Sequence, residues 1–220
     1  MSDETRLPRA PKPCKPFPVS MFDATLWPKP LDWREVFGND HPVELEVGSG
    51  KGLFLVREAV RKPENNFFGI EIAKKYAKQA GERVDKLELP NVRVYPDDAL
   101  EFLAKYVPDE SLVAVHVYFP DPWWKARHRK RRVFREALVL DVKRTLKVSG
   151  DFWIATDVEE YFEVILALMA SHPSFILQAP PEPNTPEHDL DYLTNFERKY
   201  RIEGRPIFRA HYQKSFNSID

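Results

Sequence analysis

The run LVAVHVYF at residues 112–119 constrains the fold of this 220-residue chain more than any other feature. A strand that is apolar at successive rather than alternate positions has both faces buried, which is typical of a parallel sheet covered by helices. Four more strand-like runs occur along the chain, and residues at helical spacing follow several of them. These runs are residues 43–47, 66–72, 91–95 and 151–156. The alternation predicts βαβ units and a mostly parallel, doubly wound α/β sheet.

The two ends of the chain differ in composition from its middle. Residues 1–30 contain seven prolines and few periodic apolar residues, so we expect a flexible proline-rich arm there. Residues 31–220 are expected to form a single domain, because this length supports one substantial core. Within it, residues 178–192 are rich in proline and acid and predict a loop, and residues 206–214 predict a last strand.

Composition limits the cellular setting and the kind of partner. The net charge is −1, so any basic surface must be a local patch. Cys14 is the only cysteine, which excludes a disulfide within one chain and suits a reducing compartment. No apolar run approaches the roughly 20 residues that span a bilayer, and the first residues lack the apolar stretch of a secretory signal. We therefore expect a cytoplasmic protein that does not enter a membrane.

The segment LEVGSGKG at residues 45–52 predicts a ligand-binding loop. Its glycines, Gly48, Gly50 and Gly52, lie between a strand and a helix, where they allow a tight turn and close approach of a ligand. The dinucleotide fingerprint needs a third glycine at position 53, which is Leu53 here, and this disfavours a nicotinamide enzyme. The spacing instead fits the loop common in class I methyltransferases. A tight turn without a ligand is the alternative.

Two acids follow the next two strands. Glu71 ends the second strand, where an acid is placed to accept both hydroxyls of a ribose. Its distance from the glycine loop weakens the alternative of a simple turn. Asp98 follows the third strand, where it would accept from the amino group of an adenine. The alternative is that Asp97 or Asp98 simply caps the next helix, and both roles can hold for this pair of residues.

The segment FPDPWWK follows the fourth strand, at the carboxyl edge of the sheet where open α/β folds bind ligands. Pro120 and Pro122 restrict the backbone on both sides of Asp121, so this acid is a functional candidate. The alternative is a proline-rich turn with an exposed acid. Trp123 and Trp124 are either core residues or stacking surfaces.

The segment KARHRKRR at residues 125–132 carries six Lys or Arg residues and one His, and no acid. A solvated helical face usually mixes charges of both signs. Phosphates are the natural partner of such a run, and the adjacent aromatics would support unstacked RNA bases. A solvated surface remains the alternative, but the run directly follows the predicted cofactor site.

Together, these motifs resemble the bacterial tRNA (guanine-N7-)-methyltransferases over about residues 43–214. The most specific match is FPDPWWKARHRKRR, close to the family's F-P-D-P-W-x-K-x-R-H-x-K-R-R, and EVGSGKG, GIEI, DDA, ATD and TNFE support it. The resemblance implies a Rossmann-like fold of the class I methyltransferase type with S-adenosyl-L-methionine as cofactor. The implied reaction is methyl transfer to N7 of guanosine 46 in the tRNA variable loop.

The resemblance also implies roles for individual residues. Asp121 would be the catalytic residue. The cofactor would be bound by Glu46, Gly48, Gly50, Gly52, Glu71, Asp98 and Asp121. The substrate guanosine would be bound by Lys125, Asp157, Thr194, Asn195, Phe196 and Glu197. The tRNA would contact Arg127, His128, Arg129, Lys130, Arg131 and Arg132.

Two positions depart from the family pattern: Trp124 replaces a usual His, and Asn195 replaces a usual Lys with loss of a charge. No metal is expected, and a monomer and a homodimer are both open. One alternative function is an amino-methylase acting on adenine N6 or cytosine N4 of RNA, since those enzymes use a related D-P-P-Y/W turn. Another is a non-catalytic RNA-binding protein that senses a nucleotide.

Overall fold

A computed structural model of the protein describes residues 18–125, 127, 131–179 and 192–216. These residues form a seven-stranded sheet of order β3-β2-β1-β4-β5-β7-β6. Strands β1 to β5 are parallel, and β7 runs antiparallel to both of its neighbours, β5 and β6. The strands are β1 Val43–Val47, β2 Asn66–Ile70, β3 Val92–Tyr95, β4 Leu112–Tyr118, β5 Leu146–Thr156, β6 Phe175–Gln178 and β7 Phe208–Lys214. The predicted doubly wound, mostly parallel sheet is confirmed.

The described residues also form seven α-helices, of which α1 precedes β1 and the others connect strands. They are α1 Trp33–Phe37, α2 Leu53–Arg61, α3 Lys74–Lys86, α4 Ala99–Tyr106, α5 Glu136–Thr145, α6 Glu159–Ala170 and α7 Asn195–Ile202. Local sequence sets several of their ends. Asp98 caps α4 and Thr194 caps α7 through their side chains, while Gly38 ends α1 in the left-handed conformation.

The core lies on both faces of the sheet because side chains alternate along each strand. In β1, Val43, Leu45 and Val47 join the larger cluster with α4, α5 and α6. The other face packs against α2 and α3, and there β1 carries Glu44 and Glu46, which are also buried. No helix in the described ranges is long and apolar enough to cross a membrane.

Residues 18–30, which belong to the predicted proline-rich arm, pack against the sheet. Phe22 is only 5% exposed, and its ring packs edge-on against Phe68 at 5.2 Å. The backbone of this segment pairs with β3: Phe22 N donates to Val94 O at 2.8 Å, and Val94 N donates to Ser20 O at 3.0 Å. Burial of one large aromatic and pairing of an otherwise open strand edge outweigh the local proline content. The rest of the predicted arm lies outside the described residues.

Other differences concern the second half of the chain. Strand β5 begins at Leu146, five residues before the predicted run, and β6 was not predicted. Ile176 and Leu177 in β6 are both exposed, so the strand has no alternation to detect. Most of the predicted loop at 178–192 lies outside the described residues.

Candidate active site

The carboxyl ends of the parallel strands bring the predicted acids to one edge of the sheet. Val47 of β1 lies opposite Ile70 of β2 and Val117 of β4, so their loops emerge at the same level. The loops after β2, β3, β4 and β5 contain Glu71, Asp98, Asp121 and Asp157, respectively. Connections leave β1 and β4 in opposite directions along the sheet, and ligands bind at such a switch point.

The glycine loop follows β1 at this switch point. Gly48, Gly50 and Gly52 have φ of 80°, 53° and 70°, a region that glycine enters without steric cost. A Cβ built on Gly48 or Gly50 meets no atom within 4 Å, whereas one on Gly52 would lie 2.8 Å from Cβ of Ala80 in α3. Gly48 and Gly50 therefore leave open space above the loop, and Gly52 allows α2 and α3 to pack closely.

Glu71 braces the glycine loop from the end of β2. Its side chain is buried and accepts hydrogen bonds from the backbone N–H of Gly50 and of Ala73, both at 2.8 Å. One carboxylate thus holds the loop after β1 and the entry to α3 together. Two backbone bonds leave further lone pairs on this carboxylate for a ligand.

Glu46 lies beside Glu71 and is almost completely buried, at 2% exposure. Burial, with a contribution from the charge of Glu71, raises the pKa of Glu46 well above its usual value. Its Oε2 and the Oγ of Ser49 in the adjacent loop have no hydrogen-bond partner in the described protein. Unpaired buried oxygens next to an open loop suit a ligand that brings hydrogen-bond donors and positive charge. S-adenosyl-L-methionine, with its ammonium and sulfonium groups, meets both requirements.

Asp98 serves as a helix cap, as the alternative interpretation predicted. Its side chain accepts from the backbone N–H of Leu100 at 2.8 Å and of Glu101 at 3.1 Å, at the start of α4. The residue also lies at the carboxyl edge, directly after β3. Its proposed contact with adenine therefore stays a prediction.

The turn at residues 119–124 holds its acid in a strained backbone. Phe119 and Trp123 both have positive φ, 54° and 41°, which non-glycine residues rarely adopt. They flank Pro120, Asp121 and Pro122, and Asp121 is exposed. Strain of this kind persists only where the surroundings enforce it, and it is concentrated at functional sites.

Arg132 is one of the groups that enforce this turn. Its Nε donates to the carbonyl of Pro122 at 2.6 Å, and its guanidinium lies over the rings of Trp124 and Tyr161, at 5.4 Å and 5.2 Å from their centres. Arg131 lies over Trp123 at 5.3 Å. The end of the basic run therefore supports the turn, in addition to any contact with RNA.

The remaining residues of the basic run divide into two groups. Lys125, Arg127 and Arg131 are exposed on the rim of the site. His128, Arg129 and Lys130 lie outside the described residues. Trp124, one of the two departures from the family pattern, is 49% exposed and presents part of its ring to solvent beside Asp121.

The start of α7 brings a second aromatic surface to the site. Phe196 is half-exposed, and its ring lies 6.2 Å from that of Phe119 and 6.0 Å from that of Tyr200. Phe119 belongs to the strained turn, so the turn and α7 are in contact. Asn195, the other departure, is partly buried in the first turn of α7.

Glu197 has partners inside the fold. Thr194 Oγ1 accepts from Glu197 N at 3.0 Å, and Glu197 Oε2 accepts from the backbone N–H of Leu193 at 2.7 Å. The other oxygen accepts from Arg209 Nη2 at 2.7 Å, and the residue is 3% exposed. These contacts fix the start of α7 to β7.

Asp157 also has a protein partner, because it forms an ion pair with Arg205. The guanidinium of Arg205 lies 4.1 Å from the centre of the Tyr200 ring. Neither Arg205 nor Arg209 was among the predicted site residues. Both reach the site from the segment around β7, which pairs antiparallel with β5 and β6. These pairings are distant in sequence, so no local pattern marks the two arginines.

Comparison with known proteins agrees with this geometry. A family model described as "Putative methyltransferase" matches residues 40–210. The tRNA (guanine-N(7)-)-methyltransferase of Rhodopirellula baltica is 44% identical over 220 residues, covering 95% of this chain and 81% of that protein. The enzyme of the same name from Geobacter metallireducens is 36% identical, covering 84% of this chain and 88% of that protein.

This chain belongs to the tRNA (guanine-N7-)-methyltransferase family. Solved structures of more distant proteins support the fold. The aminoglycoside resistance methyltransferase NpmB1 has a TM-score of 0.57 at 15% identity, covering 82% of this chain and 91% of that chain. The antibiotic-resistance methyltransferase Kmr has a TM-score of 0.55 at 15% identity, covering 84% and 92%. The Rossmann-like fold of the class I methyltransferases is thereby confirmed.

The match to the tRNA (guanine-N7-)-methyltransferase family spans every loop of the candidate active site. It begins before β1 and ends within β7, so it includes the glycine loop, the four acids after β2 to β5 and the start of α7. In the described ranges no cluster of three or more His, Cys, Asp or Glu residues is arranged to hold a metal ion.

Proposed function

We propose that this protein transfers the methyl group of S-adenosyl-L-methionine to N7 of a guanosine in the tRNA variable loop, at position 46. The observation that carries the proposal is the rigid, exposed Asp121, placed across the β1/β4 switch point from a glycine loop with open space above it. Membership of the tRNA (guanine-N7-)-methyltransferase family supports the choice of substrate.

In this proposal the cofactor lies over the glycine loop. The backbone of Gly48 and Gly50 makes close contact possible, Glu71 accepts from the ribose hydroxyls, and Glu46 faces the positively charged end. Asp98 would accept from the adenine amino group while continuing to cap α4. When bound, S-adenosyl-L-methionine supplies a methyl group activated by its positive sulfur.

The acceptor atom determines what the protein must contribute. Guanine N7 has a free in-plane lone pair and no proton, so no general base is needed at the attacking atom. The protein must align the base and stabilise the positive charge that develops on it. Asp121 is suited to this role because a carboxylate fixed by two prolines interacts more strongly with the transition state than with the neutral base.

The opposite edge of guanine presents N1–H and the 2-amino group, both donors. We propose Asp157 and Glu197 as acceptors. Each already accepts from an arginine, Arg205 and Arg209 respectively, but an ionised carboxylate has about four lone-pair sites. Phe196 offers a ring for stacking, and Thr194, Asn195 and Lys125 complete the proposed guanosine site.

The tRNA backbone would be bound by the basic run. Lys125, Arg127 and Arg131 are exposed on the rim beside Asp121, and His128, Arg129 and Lys130 are assigned to RNA from the family pattern alone. Arg132 would contribute mainly by supporting the turn. We propose a cytoplasmic enzyme that needs no metal.

Mass spectrometry of tRNA nucleosides after incubation with purified protein and cofactor tests this function, with N7-methylguanosine as the expected product. A matched tRNA with 7-deazaguanosine in the variable loop keeps the recognition edge and loses the nucleophile, so it should bind normally and accept no methyl group. Inosine at the same position should react with kcat/KM lower by about 1–3 kcal/mol, since one acceptor is left unpaired.

The same experiment separates the alternatives. Methylation of the deaza substrate would assign the methyl group either to an exocyclic nitrogen, as an amino-methylase would do, or to a sugar oxygen. Binding of tRNA with no methylation of any nucleoside would indicate a non-catalytic RNA-binding protein.

A further inference from the structure

A second basic surface lies on the other side of the glycine loop from the basic run. It consists of four lysines, Lys51 in the glycine loop and Lys74, Lys75 and Lys78 in the first turns of α3, here called the α3 lysine surface. Lys51, Lys74 and Lys75 are exposed and Lys78 is half-buried. Lys51 lies within the glycine-loop motif, but none of the four lysines is among the residues assigned to the cofactor, the guanosine or the tRNA.

The position of these lysines on α3 is electrostatically unfavourable. A helix N-terminus carries partial positive charge, so acids stabilise it and cations do not. The first turn of α3 contains no acid, its N-cap residue Ala73 makes no side-chain cap, and two lysines begin the helix. The fold therefore does not gain stability from them, which favours a role in binding a negatively charged partner.

Among the described residues, the ammonium groups of the α3 lysine surface also have no counter-ion. Within the described part of the chain no ion pair joins any of the four to a carboxylate. Lys51 instead lies over the ring of Tyr76 at 5.7 Å, which places the loop lysine against the first turn of α3. The four charges thus form one group beside the cofactor loop.

The sheet order defines where this group lies relative to the active site. α3 follows β2, and the turn with Asp121 follows β4; β1 and its glycine loop lie between them. With about 4.8 Å between neighbouring strands, β2 and β4 are roughly 10 Å apart within the sheet. The basic run and the α3 lysine surface therefore lie on opposite sides of the cleft mouth, both at the carboxyl edge.

We propose that the α3 lysine surface binds backbone phosphates of the tRNA substrate, on the side of the cleft opposite the basic run. This inference rests on the proposed function for the identity of the polyanion. A folded RNA whose variable-loop guanosine enters the cleft has chain on both sides of that nucleotide. Two basic surfaces would hold it at two points and orient it, without contributing to sequence readout.

The test replaces Lys74, Lys75 and Lys78 together by Gln, which removes three charges and keeps helix propensity. The matched control replaces Lys86, Lys105 and Lys147 by Gln; these are exposed lysines at the opposite, amino edge of the sheet. Both variants therefore lose the same net charge. Binding of tRNA is measured without cofactor over a range of salt concentrations.

We expect the α3 variant to flatten the slope of log K against log salt by about 2 to 3 units, one per lost phosphate contact. Its KM for tRNA should rise about tenfold or more, with kcat within about twofold of wild type. The control variant should match wild type in the salt slope of tRNA binding and in the KM for tRNA. Thermal unfolding of the α3 variant should be no lower than that of wild type, because the removed charges opposed the helix dipole.

An unchanged salt slope in the α3 variant, with wild-type methylation, would overturn this proposal and assign the lysines to a solvated surface. An equal loss in the control would also overturn it, because net charge alone would then explain the effect. Failure of the proposed function would look different. If the wild-type protein forms no N7-methylguanosine but its tRNA binding depends on the α3 lysines, the α3 lysine surface is supported as an RNA-binding site and the proposed methyl transfer is contradicted.

Discussion

The glycine loop at residues 48–52 and the turn at residues 119–124 face each other across the β1/β4 switch point, and both require left-handed backbone. In the loop, all three left-handed residues are glycines. In the turn they are Phe119 and Trp123, which have large side chains and cost of the order of 1–3 kcal/mol each. Glycines thus provide the left-handed backbone in the loop, and residues with large side chains provide it in the turn.

The difference follows from what each segment must hold. Because its left-handed residues carry no side chains, the glycine loop leaves space in which a ligand can reach the backbone. The turn must instead fix the position of one carboxylate, that of Asp121. Contacts of the turn with its surroundings hold its backbone in place. Phe119 N donates to Ala155 O at 2.7 Å, its ring packs near Phe196 and Tyr200, and Arg132 holds Pro122.

The largest effect is expected for Asp121→Asn. Removal of one preorganised charge from the turn should reduce turnover at least about 100-fold, while tRNA binding and folding stay intact. Single-turnover methylation of tRNA measures this loss. Asp40→Asn removes an exposed acid at the amino edge and should leave turnover within about twofold. Near-wild-type turnover of Asp121→Asn would reduce the turn to a structural element.

Gly50→Val tests the open loop. A β-branched side chain at φ of 53° should destabilise the fold by about 1–2 kcal/mol, and the branch would fill the space above the loop. Calorimetry should show S-adenosyl-L-methionine affinity reduced about tenfold or more. Gly38→Val introduces the same residue at φ of 74°, also with open space around its Cβ. It should lose similar stability and keep cofactor affinity; equal affinity in both variants would place the cofactor elsewhere.

Arg132→Gln tests the brace of the turn. It removes the hydrogen bond to Pro122 and the contacts with Trp124 and Tyr161, so denaturant unfolding should show a loss of about 1–2 kcal/mol. Arg131→Gln removes only the contact of an exposed guanidinium with the Trp123 ring, so it should cost about 0.5 kcal/mol, less than Arg132→Gln, while weakening tRNA binding. If the two variants are equally stable, the basic run acts as one RNA-binding unit and does not brace the turn.

Glu46→Gln tests the strand that leads into the glycine loop, and its expected effect is the smallest. Because the pKa of Glu46 is raised in the folded state, its contribution to stability is present below the unfolded value of 4.5 and is lost as pH rises toward the folded value. Gln resembles the protonated acid, so the variant should match wild type near about pH 4 and exceed it by about 1 kcal/mol near about pH 7.5.

Urea unfolding at the two pH values measures this difference, and cofactor affinity should fall in the same variant. A variant less stable than wild type at the higher pH would mean that Glu46 has a stabilising partner in the fold. The open glycine loop would then not be the reason that this acid is kept.

The sheet and most of the edge loops were predictable from local pattern. Strands β1 to β4 appear as short apolar runs, and the acids follow them directly, so connectivity alone brings Glu71, Asp98 and Asp121 to one edge. The packed segment around Phe22, the exposed strand β6 and the contacts of Arg205 and Arg209 were not predictable in this way. Each depends on partners far away in sequence.

Glu44 and Glu46 lie on the same strand, but their pKa values shift in opposite directions. Alternation along β1 places both on the same face, and both are buried. Burial opposes ionisation of Glu44, but hydrogen bonds and charges from His116 and Lys62 outweigh it and lower its pKa to about 2. Among the described residues Glu46 has no such partner, so burial raises its pKa, and one of its oxygens accepts no hydrogen bond there. Local pattern sets which face a side chain occupies, whereas its charge depends on neighbours that only the folded chain brings within a few ångströms.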